Sequence, residues 1–260
     1  MTEPPTEAST AMPDAGNAPA VDGVRGPAVD GVVDPILEAR AIDLSPLLVR
    51  PIDLRVGVGE SVWVSGASGI GKSSLLRVLA RLSPCRAGSI LLQGQHHERI
   101  EPVAYRSRVM FLHQRPPIYP GSVTDNLRYF MNLRPDAALP WETVDQLGHR
   151  LGLDEEIRER SAKDLSGGEL TRLGLLRLMA LDPVVLILDE PFASLDLETA
   201  SQVAGVLDAW LHQGPARAIL GVSHASRPLI GRKVTWQRMT REGIELVSPD
   251  KVTENEGEGS

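Results

Sequence analysis

The sequence predicts an α/β fold: a mixed central sheet flanked by helices, with an N-terminal antiparallel β subdomain and an inserted helical lobe. Three observations predict it. Residues 36–64 carry several short apolar–polar alternations, residues 61–82 run strand, glycine-rich loop, helix, and residues 115–163 lose their strand signals between two stretches of α/β pattern.

In order, Pro46, Pro51 and the turn Gly57-Val58-Gly59-Glu60 divide the first stretch into antiparallel strands. Ser61-Val62-Trp63-Val64-Ser65 reads as a strand entering the glycine-rich segment 66–71, and Ser73 to Leu82 has helical spacing. A hairpin around Gly88 and Gly94 precedes a strand from Arg108 to Leu112. The helical lobe, about 115–167, is broken at Pro116-Pro117, Pro120-Gly121, Pro135 and Pro140. A helix from Gly168 to Leu181, the strand Val184 to Leu188, a helix after Leu197, the strand Ala218 to Ser223 and two short strands near Val234 and Ile244 complete a domain of residues 35–249.

Composition bounds the function. With 42% hydrophobic residues the chain can build a sizeable core, yet its unbroken apolar runs are far shorter than the roughly 20 residues of a membrane-spanning helix. The start, with Glu3, Pro4, Pro5 and Glu7, has neither the basic nor the apolar part of a secretory signal, so a cytoplasmic location is expected. Cys85 is the only cysteine, which excludes an internal disulfide or a cysteine-cluster metal site. Of the net charge of -7, residues 1–34 supply -5 and residues 250–260 supply -3, leaving the domain near +1. Both acidic tails lack aromatic residues and are expected to be disordered. No broad basic face favours nucleic acid.

Gly66-Ala67-Ser68-Gly69-Ile70-Gly71-Lys72-Ser73, followed by Ser74, matches the phosphate-loop pattern, in which backbone N–H groups and a helix N-terminus surround phosphates. Lys72, one of only four lysines, belongs on the β and γ phosphates, and Ser73 supplies a hydroxyl for Mg²⁺. The apolar run 184–188 ends in Asp189 and Glu190, as a buried parallel strand opening into a ligand crevice does. Asp189 is expected to hold Mg²⁺ through water and Glu190 to polarise the water that attacks the γ-phosphate. Alone, two acids after a strand are common; beside a phosphate loop they divide metal and base roles. His96-His97 follows a turn, lacks carboxylate or cysteine partners and reads as surface, and Trp141, Trp210 and Trp236 read as packing residues.

Leu165-Ser166-Gly167-Gly168-Glu169, 23 residues before Asp189 and directly before a helix, narrows the choice among phosphate-loop proteins. It resembles the signature sequence of ABC ATPases, a second anion site at a helix N-terminus. The resemblance covers about 37–247 and implies the rest by order. Gln114 resembles the Q-loop glutamine that contacts Mg²⁺ or the attacking water, Ser194-Leu195-Asp196 the D-loop, and His224 the switch histidine that senses the γ-phosphate. It further implies binding and hydrolysis of Mg-ATP by a homodimer with two sandwiched nucleotides, a separate membrane permease docked at residues 116–119, and no direct nucleic-acid partner. Segment 105–127 is similar to ATP-binding subunits of FetA/YbbL type, associated with proposed iron export. ABC ATPases usually stack adenine on an aromatic residue upstream of the phosphate loop, yet no aromatic precedes Trp63; an apolar residue at 44–48, or Arg50, is left for that place. Stacking contributes about 1–3 kcal/mol, so modest ATP affinity and tolerance of GTP are expected. The competing readings are a soluble ABC protein acting on nucleic acid or a ribosome, usually marked by a long coiled-coil insertion or second ATPase domain, and a small-molecule kinase, which needs neither residues 165–169 nor His224.

Overall fold

The structure, a computed structural model, describes residues 35–214, 216–223 and 233–247. Two sheets organise it. In the first, β1 (Pro35–Ile42), β2 (Ile52–Gly57), β4 (Ser89–Leu92) and β5 (Gln95–His96) pair antiparallel in the order β2-β1-β4-β5. In the second, β3 (Glu60–Ser65), β6 (Val109–Leu112), β7 (Val185–Asp189), β8 (Ala218–Val222), β9 (Lys233–Thr240) and β10 (Gly243–Val247) take the order β10-β9-β3-β8-β7-β6. Only β10 runs antiparallel to its neighbour.

The parallel strands divide two cores by their alternation, because successive side chains leave a strand on opposite faces. Val62 and Val64 of β3, Val185 and Ile187 of β7 and Leu220 of β8 join one core with the antiparallel sheet and α1 (Lys72–Leu79). Trp63, Leu186, Leu188 and Ile219 join the other. That second core receives α3 (Val123–Asn132), α4 (Trp141–Arg150), α6 (Gly167–Met179) and α7 (Leu197–Gln213). Two shorter helices, α2 (Pro102–Arg108) and α5 (Glu155–Glu159), complete the set. Burial on both faces explains why β7 and β8 read as unbroken apolar runs.

The elements follow the sequence expectation with informative departures. The helix after the phosphate loop stops at Leu79 instead of continuing to Leu82, because Arg81 adopts a left-handed φ of 54°. Leu82 then donates to the Arg77 carbonyl, and the Arg81 guanidinium ties down the His97 and Ile100 carbonyls while lying over the Tyr105 ring. Trp210 and Trp236 pack in the core as expected, whereas Trp141 is 37% exposed beneath the Arg128 guanidinium. His97 is half-buried rather than a surface residue, its ring Nδ1 3.3 Å from the Ile90 carbonyl.

Gly221 shows how close the packing is. A Cβ there would collide with the ring of Trp63, which is itself only 2% exposed and cannot withdraw. We expect Gly221→Ala to destabilise the fold by about 2 kcal/mol; a denaturant midpoint unchanged from the native chain would contradict this.

Candidate nucleotide site

The phosphate loop begins where β3 ends. Gly66 turns the chain with φ 146°, and a Cβ at this position would strike the carbonyl of Met239 on β9. Gly69 and Gly71 also lie at positive φ, 76° and 109°, which glycine adopts without steric cost. Gly71 caps α1 without offering it a side-chain acceptor, so the first-turn amides remain directed at an incoming anion. Lys72, 6% exposed, donates from Nζ to the Gly66 and Ala67 carbonyls at 2.7 and 3.0 Å. Burial lowers its pKa, opposed by the charges of Glu190 and Asp189.

The two acids stand at the carboxyl end of β7. Asp189 is buried and its Oδ1 accepts a 3.0 Å hydrogen bond from Ser73 Oγ, joining one carboxylate and one hydroxyl, a donor set that fits a hard cation such as Mg²⁺. Glu190 has a left-handed φ of 54°, and its amide donates to the Val222 carbonyl at 3.1 Å. Such a conformation costs on the order of 1–3 kcal/mol and survives only where its surroundings fix it. Here Ala193 donates back to the Glu190 carbonyl, and Phe192, 4% exposed, packs against Trp63 with ring centroids 5.7 Å apart.

A cleft of about 330 Å³ brings together Ser68, Gly69, Gly71, Lys72, Ser73, Ser74, Gln114 and Glu190, with Leu47 at its edge. Gly66 and Ala67 reach it through their carbonyls on Lys72, and Ile70 lines an adjoining hollow. His113, which sequence reading passed over, stands edge-on to Phe111; burial and Arg77 lower its pKa against the pull of Asp189 and favour the neutral imidazole.

Residues 166–169 do not line this cleft. Ser166 and Glu169 cap α6 reciprocally: Ser166 donates its amide to Glu169 Oε2 at 2.7 Å, and Glu169 donates its amide to Ser166 Oγ at 3.3 Å. Burial alone would raise the Glu169 pKa, but the Ser166 groups and the Arg160 guanidinium outweigh it and hold the carboxyl low. Ser166 and Gly167 are exposed, so this helix start faces outward. Gly168 is also favoured by what lies behind it, since a Cβ there would stand 3.0 Å from both the Ser194 carbonyl and Leu195 Cδ2. Asp196 lies outside the cleft as well. It caps α7, accepting from the Thr199 amide and hydroxyl at 2.8 and 3.1 Å, and these bonds lower its pKa.

Beyond Gln114 the chain is clamped to the helices. Asn126, fully buried, donates to the Tyr119 and Ser122 carbonyls and accepts from the Tyr119 amide. Arg177 of α6, 3% exposed, donates to Asn126 Oδ1 and to the Pro117 carbonyl. Pro116 seats on Gly174 of the same helix, where a Cβ would come within 2.8 Å of it. A single helix therefore carries the outward-facing residues 166–169 at its start and the Gln114 loop farther along. Sequence reading gave no role to Asn126, which lies in the segment 105–127 it singled out, and missed Arg177 and Gly174; all three depend on contacts between distant segments. His224 lies outside the described residues.

Among the described residues no helix is long and apolar enough to cross a membrane. The sequence matches the family described as ABC transporter over residues 49–193. It is 32% identical over 190 residues to "ABC transporter I family member 17" of Arabidopsis thaliana, covering 73% of this chain and 72% of that one. It is 30% identical over 180 residues to "Probable iron export ATP-binding protein FetA" of Escherichia coli (strain K12), covering 68% and 78%. The fold superposes with TM-score 0.68, at 18% identity, on the dimeric structure of a post-hydrolysis state of the ATP-binding cassette MJ0796 bound to ADP and Pi, covering 80% of this chain and 96% of that one. With the family match spanning more than half of its length and relatives at this identity covered over more than two thirds of theirs, the protein belongs to the ABC transporter family, as an ATP-binding and ATP-hydrolysing subunit.

Proposed function

We propose that two copies of this chain close around two Mg-ATP, each held by the phosphate loop of one copy and by residues 166–169 of the other, and that closure drives a separate permease at the cytoplasmic face of a membrane. The observation that carries this reading is the division of the site. One copy offers a cleft with the Lys72 cation, Ser73 bonded to the Asp189 carboxylate and the fixed Glu190, while the start of α6, where Ser166 and Gly167 are exposed, does not line that cleft.

Within the cleft, Lys72 exchanges its carbonyl partners for phosphate oxygens and the amides of residues 69–74 surround them. Ser73, Asp189 and Gln114 would hold Mg²⁺, which when bound neutralises charge on the phosphate oxygens. Glu190 orients the attacking water and accepts its proton as the γ-phosphorus bond to the bridging oxygen breaks and ADP leaves. His224 is assigned to the γ-phosphate on its order in the sequence alone, and Asp196, the N-cap of α7, to communication across the dimer.

Because α6 carries both residues 166–169 and the Gln114 loop, docking of the helix start on a partner's nucleotide moves residues 116–119 with it. The permease is assigned there, beside the tilted ring pair Tyr119 and Tyr129, centroids 4.3 Å apart, the latter 47% exposed. Residues 1–34 and 250–260 are assigned as acidic tails outside the ATPase domain. The similarity of segment 105–127 to FetA-type subunits, and of 68% of this chain to FetA at 30% identity, directs the first cargo test to iron export.

The test is co-purification. Tagged Glu190→Gln protein, incubated with Mg-ATP and detergent-solubilised native membranes, is expected to retain a multi-span permease. Retention of soluble nucleic-acid or ribosomal partners alone would overturn the transport assignment.

A further inference from the structure

Beside the phosphate cleft lies a second hollow, of about 480 Å³, within the roughly 300–1,000 Å³ typical of ligand sites. The two share Leu47, Ser68 and Gly69. The hollow is walled by the loop between β1 and β2, which turns Leu44 and Leu48 into the core, 8% and 5% exposed, and leaves Leu47 and Val49 outside, 42% and 71% exposed. That loop is held in place: Asp43 accepts from the Ser45 amide and hydroxyl, Leu47 donates to the Leu44 carbonyl, and Val49 donates to the Arg241 carbonyl at 2.8 Å. Leu47 lies against the phosphate loop, its Cδ1 3.1 Å from where a Cβ on Gly71 would stand. Arg241, in the turn between β9 and β10, is the one charged residue among the described residues that line the hollow.

Resting on the phosphate-site reading above, we propose that Leu47, Val49 and Arg241 seat the purine base of the bound nucleotide, and that Arg241 makes the chain accept guanine at least as readily as adenine. Continuity with the phosphate loop fixes the occupant, since a nucleotide held at residues 69–74 extends its sugar and base past the shared wall of Leu47, Ser68 and Gly69. The aliphatic surface of Leu47 and Val49 covers a base face without distinguishing one purine from another. On the Hoogsteen edge Arg241 distinguishes them: a guanidinium only donates, guanine presents two acceptors there, O6 and N7, and adenine sets a donor, N6, beside one acceptor, N7. The cation at 241, and not Arg50, is therefore the polar reader of the base.

The experiment is displacement of trinitrophenyl-ATP from the full chain by Mg-ATP and by Mg-GTP. GTP is expected to displace the probe at least as well as ATP. Arg241→Ala is expected to weaken GTP about tenfold while leaving ATP within about twofold. Leu47→Trp, which adds a stacking face, is expected to tighten both by about tenfold, a gain that misfolding cannot mimic. A tenfold or larger preference of the native chain for ATP, or equal losses of both nucleotides in Arg241→Ala, would overturn the proposal and leave the phosphate site standing. Failure of the native chain to bind the probe or either nucleotide would overturn the phosphate site and this proposal together.

Discussion

Glu190→Gln is expected to lower ATP turnover by about 10²–10⁴-fold while leaving nucleotide binding intact and the ATP-bound dimer long-lived. The expectation follows from the separation of position and charge. The left-handed turn, the amide bond to Val222 and the Phe192 packing against Trp63 belong to the backbone and its neighbours, and an amide side chain of the same shape preserves them. What it loses is the capacity to accept a proton from water. Steady-state phosphate release checks the rate and size-exclusion chromatography with Mg-ATP checks the dimer. Turnover within a few-fold of native would remove Glu190 as the base.

Lys72→Ala acts one step earlier. We expect nucleotide affinity to fall by about 10²-fold or more, because each charge-assisted hydrogen bond from the ammonium to phosphate contributes roughly 1.5–3 kcal/mol and the cation makes more than one. Burial and the Gly66 and Ala67 carbonyls hold the ammonium in place before nucleotide arrives, so little ordering remains to be done on binding. Lys72→Arg is expected not to restore binding, since a planar fork cannot replace a compact ammonium between two carbonyls. Calorimetric titration with Mg-ATP, alongside a circular-dichroism spectrum that stays native, checks both variants. Unchanged affinity would contradict the assignment.

Much of this was legible in the sequence where the signal is local. The order strand, glycines, helix at 61–79 needs only the short apolar stretch Val62-Trp63-Val64, three glycines and a change of period, and these lie side by side. The parallel strands announce themselves by unbroken apolar runs, and the helical segment by its loss of alternation. The features that escaped depend on residues brought together across long stretches of chain. Arg241 lines the adjoining hollow because β9 runs parallel to β3 in the register Ser65↔Arg238, which sets the following turn beside the start of the phosphate loop. No periodicity in β9 encodes that register. The same holds for Gly221 beneath Trp63 and for Arg177 reaching Pro117 and Asn126. Leu47 was named only as one of several apolar residues, because the inward turn of Leu44 and Leu48 that leaves it outside is a property of the folded loop. The end of α1 escaped for a different reason: a helix stop is sought at glycine, and here arginine occupies the left-handed position, held by side-chain bonds to the next segment.

The central claim is that each nucleotide is shared between two copies, and subunit mixing tests it most directly. Lys72→Ala disables every phosphate loop, and Ser166→Glu places a carboxylate where the outward-facing helix start would meet phosphate. Each variant alone is expected to be inactive. In a mixed dimer, the intact phosphate loop of the second chain faces the intact helix start of the first. An equimolar mixture should therefore recover about a quarter of native ATPase activity, from one working site in the half of dimers that are mixed. Activity that stays at the sum of the two separate variants would contradict the shared site.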